Sequence, residues 1–315
     1  MAGFNSQIHL WHLRPNALTG HEKEIWSLAF SHDGKSLASG ADDSTVKLWD
    51  VAGGRERATL KGHGSLVTSV AYSPTRAILA SASFDKTIRL WVAATGEDRG
   101  ILYGHTDRVR TLAFSPDGKT LASAGDDRQI RLWDVATRSE LGPPLSGHKN
   151  HIYAVTFAPD NKTLFSSGTD KTIRVWDWAA GQCRAVLAAD DDTLSLAVSP
   201  DSLTLAAGDH LGRVRLWDVA HVKALASLKG HIGDVLGLAF SPDGRTLASA
   251  GRDQTVRLWD PVVAQELLTL KGHQAPVHAV SFSADGTILA SGSHDGAIKL
   301  WRAPRSANPP KRTGP

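Results

Sequence analysis

The chain has 315 residues, 41% of them hydrophobic, with a formal net charge of +3 and a single cysteine. That length and apolarity allow one large β or α/β domain, or two smaller ones, with a core that needs no staples. One cysteine excludes an intramolecular disulfide framework and a Cys-rich zinc site, and it suits a reducing, cytoplasmic location. No run approaches the length of an apolar membrane span, and residues 1–10 lack the basic start and apolar stretch of a secretory signal, so neither is expected. Four basic residues (Arg302, Arg305, Lys311 and Arg312) follow Trp301. The body is therefore near neutral, which disfavours nucleic acid or a membrane surface as partner.

The first predicted element is a strand over Ile8–Leu13, followed by the apolar segment Arg14–Leu18. His9 and His12 fall three apart on that strand and face opposite sides, a poor arrangement for a metal. From residue 20 onward the chain repeats. Tryptophans stand at Trp49, Trp91, Trp133, Trp176, Trp217, Trp259 and Trp301, with steps of 42, 42, 43, 41, 42 and 42 residues. Six are preceded, always by 28 residues, by a Gly-His pair ending at His21, His63, His105, His148, His231 or His273. The repeats span about 20–61, 62–103, 104–146, 147–187, 188–229, 230–271 and 272–302. A period in the forties with Gly-His early and Trp-Asp late marks a propeller array.

Each repeat reads as four short strands. Apolar positions such as Val109, Leu112 and Phe114 form the first, and Ser115-Pro116-Asp117-Gly118 turns the chain. Leu121-Ala122-Ser123 is the second strand, and Gln129–Trp133, alternating polar and apolar, is the third. A weaker fourth ends at a leucine three residues before the next Gly-His, as at Leu60, Leu102, Leu228 and Leu270. Four antiparallel strands taken seven times close into a ring of blades, an all-β seven-bladed propeller. Cys183 falls in a fourth strand and reads as an inert small hydrophobe. The tail, residues 303–315, has four prolines and reads as a disordered basic linker.

On these motifs the sequence resembles the WD-repeat (WD40) family over roughly residues 13 to 302. The resemblance implies a seven-bladed propeller whose last blade is closed by an N-terminal strand, here residues 8–18. It implies partners that dock on the so-called top face, around the central channel. The identity of Ala239–Gly244 with Ala113–Gly118 is similar to that in highly self-similar bacterial arrays, often the sensor part of longer signalling proteins.

Six repeats carry His, Ser, Asp and Trp at fixed offsets. The sets are His21, Ser39, Asp43, Trp49; His63, Ser81, Asp85, Trp91; His105, Ser123, Asp127, Trp133; His148, Ser166, Asp170, Trp176; His231, Ser249, Asp253, Trp259; and His273, Ser291, Asp295, Trp301. Ser, His and Asp together invite a hydrolase reading. The competing reading is a buried chain in which the indole donates to Ser, Ser to His and His to the carboxylate. A chemical site is one asymmetric pocket, whereas this set recurs six times. The fifth repeat loses the set together, with Ala189, Ala207 and Leu211 in place of His, Ser and Asp, and joint loss is the mark of a network. The resemblance assigns the same fold-stabilising role. No catalytic residue, cofactor or metal site is expected.

Three positions vary freely among the repeats: the third and fifth residues after the histidine, and the residue before the turn aspartate. They read Glu24, Trp26 and Asp42; Leu66, Thr68 and Phe84; Arg108, Arg110 and Asp126; His151, Tyr153 and Thr169; Asp192, Leu194 and His210; Asp234, Leu236 and Arg252; Pro276, His278 and His294. In the resembling family these positions ring the channel on the top face. Aromatics beside arginine have the composition of a protein-binding hot spot. Charge is sectored, with Lys86, Arg108, Arg110, Arg128, Lys149 and Lys171 on blades two to four, and Glu22, Glu24, Asp42, Asp190, Asp191, Asp192 and Asp234 on blades five, six and one. A dipolar face argues against DNA, which wants one sign along a stripe. The expectation is a monomeric, non-catalytic scaffold or sensor module that binds a protein or peptide. The alternatives are a nucleic-acid-associated module using the basic sector, or the regulatory domain of a larger signalling protein.

Overall fold

A computed structural model describes residues 16–302. The expected strand over residues 8–13 and the tail 303–315 lie outside the described residues. The first strand, β1 (Asn16–Thr19), precedes a blade built of β2 (Ile25–Phe30), β3 (Ser36–Ala41), β4 (Val46–Asp50) and β5 (Arg55–Leu60). These four pair antiparallel in chain order, and the pattern recurs through seven separate sheets. Among the described residues no element is helical.

Each turn of the meander has a local cause. In blade three Ser115 Oγ donates to Asp117 Oδ1 at 2.6 Å, and the same carboxylate accepts the Lys119 amide at 3.0 Å. Gly118 takes the left-handed φ of 66° that closes this turn, where a Cβ would be strained. In blade three the outer strand is broken into Ser139–Glu140 and Leu145–Ser146. Gly142-Pro143-Pro144 stands between the pieces, and proline has no N–H to give a ladder.

The last sheet closes the ring. Its strands Val277–Phe282, Ile288–Ser293 and Ala297–Arg302 are completed on the outside by β1, in the register Asn16↔Leu300, Ala17↔Lys299, Leu18↔Ile298 and Thr19↔Ala297. Leu18, 2% exposed, packs with Ile298 and Leu300 into the core shared with blade one. Comparable clusters lie between successive blades, for example Val46, Leu48 and Leu60 of blade one with Val67, Val70, Leu79 and Trp91 of blade two. Each sheet is thus buried on both faces by its neighbours, and the cores form a ring of seven.

One irregularity recurs in every blade. The pairing of the innermost strand with the next skips one residue between Ile25/Ser27, Val67/Ser69, Val109/Thr111, Ile152/Ala154, Thr193/Ser195, Val235/Gly237 and Val277/Ala279. The skipped residues are Trp26, Thr68, Arg110, Tyr153, Leu194, Leu236 and His278. A bulged residue leaves the two-fold alternation of its strand, so its side chain is re-aimed and released from packing the sheet.

Candidate functional site

The six tetrads form as hydrogen-bonded chains. In blade one Trp49 Nε1 donates to Ser39 Oγ at 2.8 Å, that hydroxyl lies 2.6 Å from His21 Nε2, and His21 Nδ1 lies 2.7 Å from Asp43 Oδ2. The indole link is 2.8 Å in the other five as well. Their His Nε2 atoms contact Ser81, Ser123, Ser166, Ser249 and Ser291, and their Nδ1 atoms contact Asp85, Asp127, Asp170, Asp253 and Asp295. Every tetrad serine is fully buried with its hydroxyl committed at both ends, so none is presented to a substrate. Burial works upward on the carboxyls of Asp43, Asp85 and Asp253, and hydrogen bonds from histidine and threonine outweigh it. All three are held well below the usual carboxylate range.

Blade five keeps Trp217 without the rest. Its Nε1 is buried with no acceptor, because Ala207 has no hydroxyl to offer. A different network takes over the turn. Asp209 Oδ1 accepts the Arg213 amide at 2.9 Å, as Asp43 Oδ1 accepts the Thr45 amide at 3.0 Å in blade one. Asp209 Oδ2 also takes Arg213 Nε at 2.7 Å. The carboxylate has moved two residues upstream and still caps the same donor. This replacement was not anticipated from the sequence. Its signal was an Asp where the other repeats have Ala, Ser or Gly, together with Arg213 where they have Thr, Gln or Ala.

The variable positions gather at one rim. In all seven blades the amide of the residue before the turn aspartate donates to the carbonyl of the third residue after the histidine position, at 2.9 to 3.1 Å. Asp42 thus meets Glu24, Phe84 meets Leu66, and His294 meets Pro276.

Three side-chain groups result. Between blades seven and one, His278 and His294 stack at 4.0 Å, and Trp26 leans on both at 4.4 and 5.4 Å. Trp26 Nε1 is buried there with no partner. Glu24 Oε2 lies 3.6 Å from His294 Nε2. Burial, helped by the charges of His294 and Arg252, pushes the His278 imidazole down to about 3. In the second group Arg110 is clamped by Asp126 through two contacts, and its guanidinium lies 5.2 Å from the Phe84 ring centre and 4.4 Å from that of Tyr153. His151 Nδ1 approaches the same carboxylate at 2.9 Å, and exposed Arg108 covers Phe84 at 4.7 Å. In the third group His210 and Arg252 both pair with Asp234, while Asp192 and Leu236 stand half-buried on the same rim.

These contacts correct two expectations. Arg110 is an internally neutralised residue, because Asp126 lies directly across the bulge from it. The charge sectors are also partly cancelled: Lys171 pairs with Asp191 at 3.2 Å, Lys23 with Asp42 at 3.4 Å, and Asp190 is held by Arg215. Among the described residues, Lys86, Arg108, Arg128 and Lys149 remain without a carboxylate partner, Lys86 donating instead to the Thr106 carbonyl at 3.0 Å. Cys183 is exposed, because it lies on an outer edge strand. No cluster of three or more metal-binding side chains occurs among the described residues, and no helix there is long and apolar enough to cross a membrane.

The family profile described as WD domain, G-beta repeat matches seven times, at residues 14–50, 54–92, 96–134, 140–177, 181–218, 222–260 and 264–302. The chain belongs to the WD-repeat family. Its members are generally protein-interaction scaffolds. Among curated relatives, it is 48% identical over 44 residues to the vegetative incompatibility protein HET-E-1 of Podospora anserina, which is 14% of this chain and 3% of that protein. It is 38% identical over 48 residues to the anaphase-promoting complex subunit cdc20 of Dictyostelium discoideum, 15% of this chain and 10% of that one. With Protein SPA1-RELATED 4 of Arabidopsis thaliana it shares 37% identity over 65 residues, 19% and 8% of the two chains. The matches span a tenth or less of each relative's length.

Proposed function

We propose that this propeller is a non-catalytic scaffold or sensor module that docks a peptide or protein surface on the bulged rim of its central channel. One observation carries the reading: the bulge takes one side chain per blade out of the regular strand alternation, and these are positions where otherwise similar repeats differ. Trp26, Phe84 and Tyr153 at that rim supply large, stiff anchors, and a buried anchor contributes most of an interface's binding energy. One relative, a subunit of the anaphase-promoting complex, accords with assembly work.

The rim cations paired with Asp126 and Asp191 weaken the nucleic-acid alternative, since neutralised cations release few counterions. We read the module as a monomeric propeller acting in the cytoplasm, in a regulatory or signalling setting. Its self-similar repeats match the style of bacterial arrays, although the relatives named above are eukaryotic. The test is binding to the natural partner. Trp26→Ala or Tyr153→Ala should weaken it at least tenfold, and unchanged affinity in both would place the site elsewhere.

A further inference from the structure

Blade five, like blade four, lacks an acid on its outer edge, and it alone also lacks the tetrad. In four blades a cation two residues before the tryptophan is neutralised from the outer strand: Lys47 by Glu56, Arg89 by Asp98, Arg131 by Glu140 and Arg257 by Glu266. The register explains the pairing, because the acid always faces the tryptophan, as Glu56 faces Trp49 and Glu266 faces Trp259. In blade five the residue facing Trp217 is Ala224. The whole outer strand, Lys223–Lys229, reads Lys-Ala-Leu-Ala-Ser-Leu-Lys and holds no acid.

Three features accompany the missing carboxylate in blade five. Arg215 turns away to Asp190, a residue 65% exposed at its side chain. A cleft of about 340 Å³ opens, lined by Arg213, Arg215, Ala224, Leu225, Ser227 and Lys229. Arg213 Nη2 is left buried without an acceptor. Beside the cleft Leu225 is 55% exposed, and among the described residues Lys223 and Lys229 have no carboxylate partner.

The strand is the last of its sheet, so its outer backbone groups have no ladder to join. A free edge is a template for another strand. The two lysines repel a second copy of the same edge and leave a complementary, acidic strand as the matching occupant. We propose that this edge of blade five binds an extended acidic segment of a partner protein as a fifth strand. Its carboxylates would meet Arg215 and the terminal lysines, displacing Asp190, and its apolar residues would cover Leu225. The site is separate from the channel rim, since the outer strand lies at the opposite end of the sheet from the bulged inner one.

The experiment is fluorescence anisotropy with the full chain and a labelled peptide of alternating Glu and Val, followed by hydrogen exchange of the complex. Ala224→Glu supplies the missing acid and recreates the arrangement of blade six, so it leaves the fold intact; an unchanged or higher melting temperature verifies this. The expected result is binding by the wild type, at least a tenfold loss in Ala224→Glu, and slowed exchange at Lys223–Lys229. Trp26→Ala should bind as the wild type does. The proposal is overturned if the peptide does not bind, if Ala224→Glu binds equally well, or if a Lys-Val peptide binds as tightly.

Discussion

Arg110 grips Asp126 by both prongs of its guanidinium, Nε on one carboxylate oxygen and Nη2 on the other at 3.0 Å, between the rings of Phe84 and Tyr153. The Asp126 side chain is only 5% exposed, so it depends on this partner.

Arg110→Glu should therefore act on stability before it acts on binding. Removing one member of a buried pair costs on the order of 3 kcal/mol, and the new carboxylate adds repulsion. Arg108→Glu, at an exposed position without a carboxylate partner, should stay within about 0.5 kcal/mol of the wild type. Guanidinium denaturation of both variants checks the contrast. Equal stabilities would mean that Asp126 does not need Arg110.

The tetrads predict an acid-labile ring. Asp43, Asp85, Asp127, Asp170, Asp253 and Asp295 all titrate below their ordinary range in the folded protein. A carboxyl depressed on folding contributes stability that is complete above its unfolded value of about 3.9 and is lost as pH falls toward the folded one. The histidines act earlier. Burial holds His148, His273, His278 and His294 below their ordinary value, so the unfolded chain takes up protons first, from about pH 6.5 downward. Stability should fall gently from pH 6.5 to 4 and more steeply below. His278→Gln should flatten the first limb, and Asp127→Ala should cost about 2 kcal/mol at neutral pH. A denaturation series across pH reads both, and a flat wild-type profile from pH 7 to 3.5 would contradict them.

Blade five should respond differently to loss of its indole. Trp259→Phe strands Ser249 and His231, whereas Trp217→Phe breaks no side-chain hydrogen bond. The first should cost more than the second by about 1 kcal/mol or more. Without a tetrad this blade should also open most easily, even though Asp190 and Asp191 are paired with Arg215 and Lys171. Faster amide exchange at Ala206–Leu216 than at Leu121–Leu132 is the expected readout, and equal rates would refute it.

Closure should depend on β1. Deleting residues 1–18 removes Leu18 from its core and bares the backbone of Ala297–Leu300 as an open edge. The truncated protein should aggregate or melt well below the intact chain. A soluble truncation with an unchanged melting temperature would show that the blade closes without the strand.

What the sequence disclosed follows from how local each feature is. The tetrads were legible because Ser39, Asp43 and Trp49 lie within one hairpin and His21 at a fixed offset before it, so one spacing repeated six times. The bulge left only a faint trace. Ile25 and Leu28 are three apart where a regular strand would put two, a step repeated at Val109 and Leu112. The Arg110–Asp126 clamp and the Lys171–Asp191 pair were not legible, because their partners come from different strands or blades and only the three-dimensional register brings them together. The move of the blade-five carboxylate to Asp209 was hidden for a related reason. The sequence shows Leu211 in the usual position, and only the shared Arg213 amide reveals the substitute.

Docking of partners on the bulged rim is read by affinity capture with the intact chain beside a Trp26→Ala/Tyr153→Ala double variant of matched melting temperature. At least one protein retained by the wild type should be depleted at least tenfold by the double variant and kept by Ala224→Glu. An identical set of bound proteins from the wild type and the double variant would place the docking surface away from the rim.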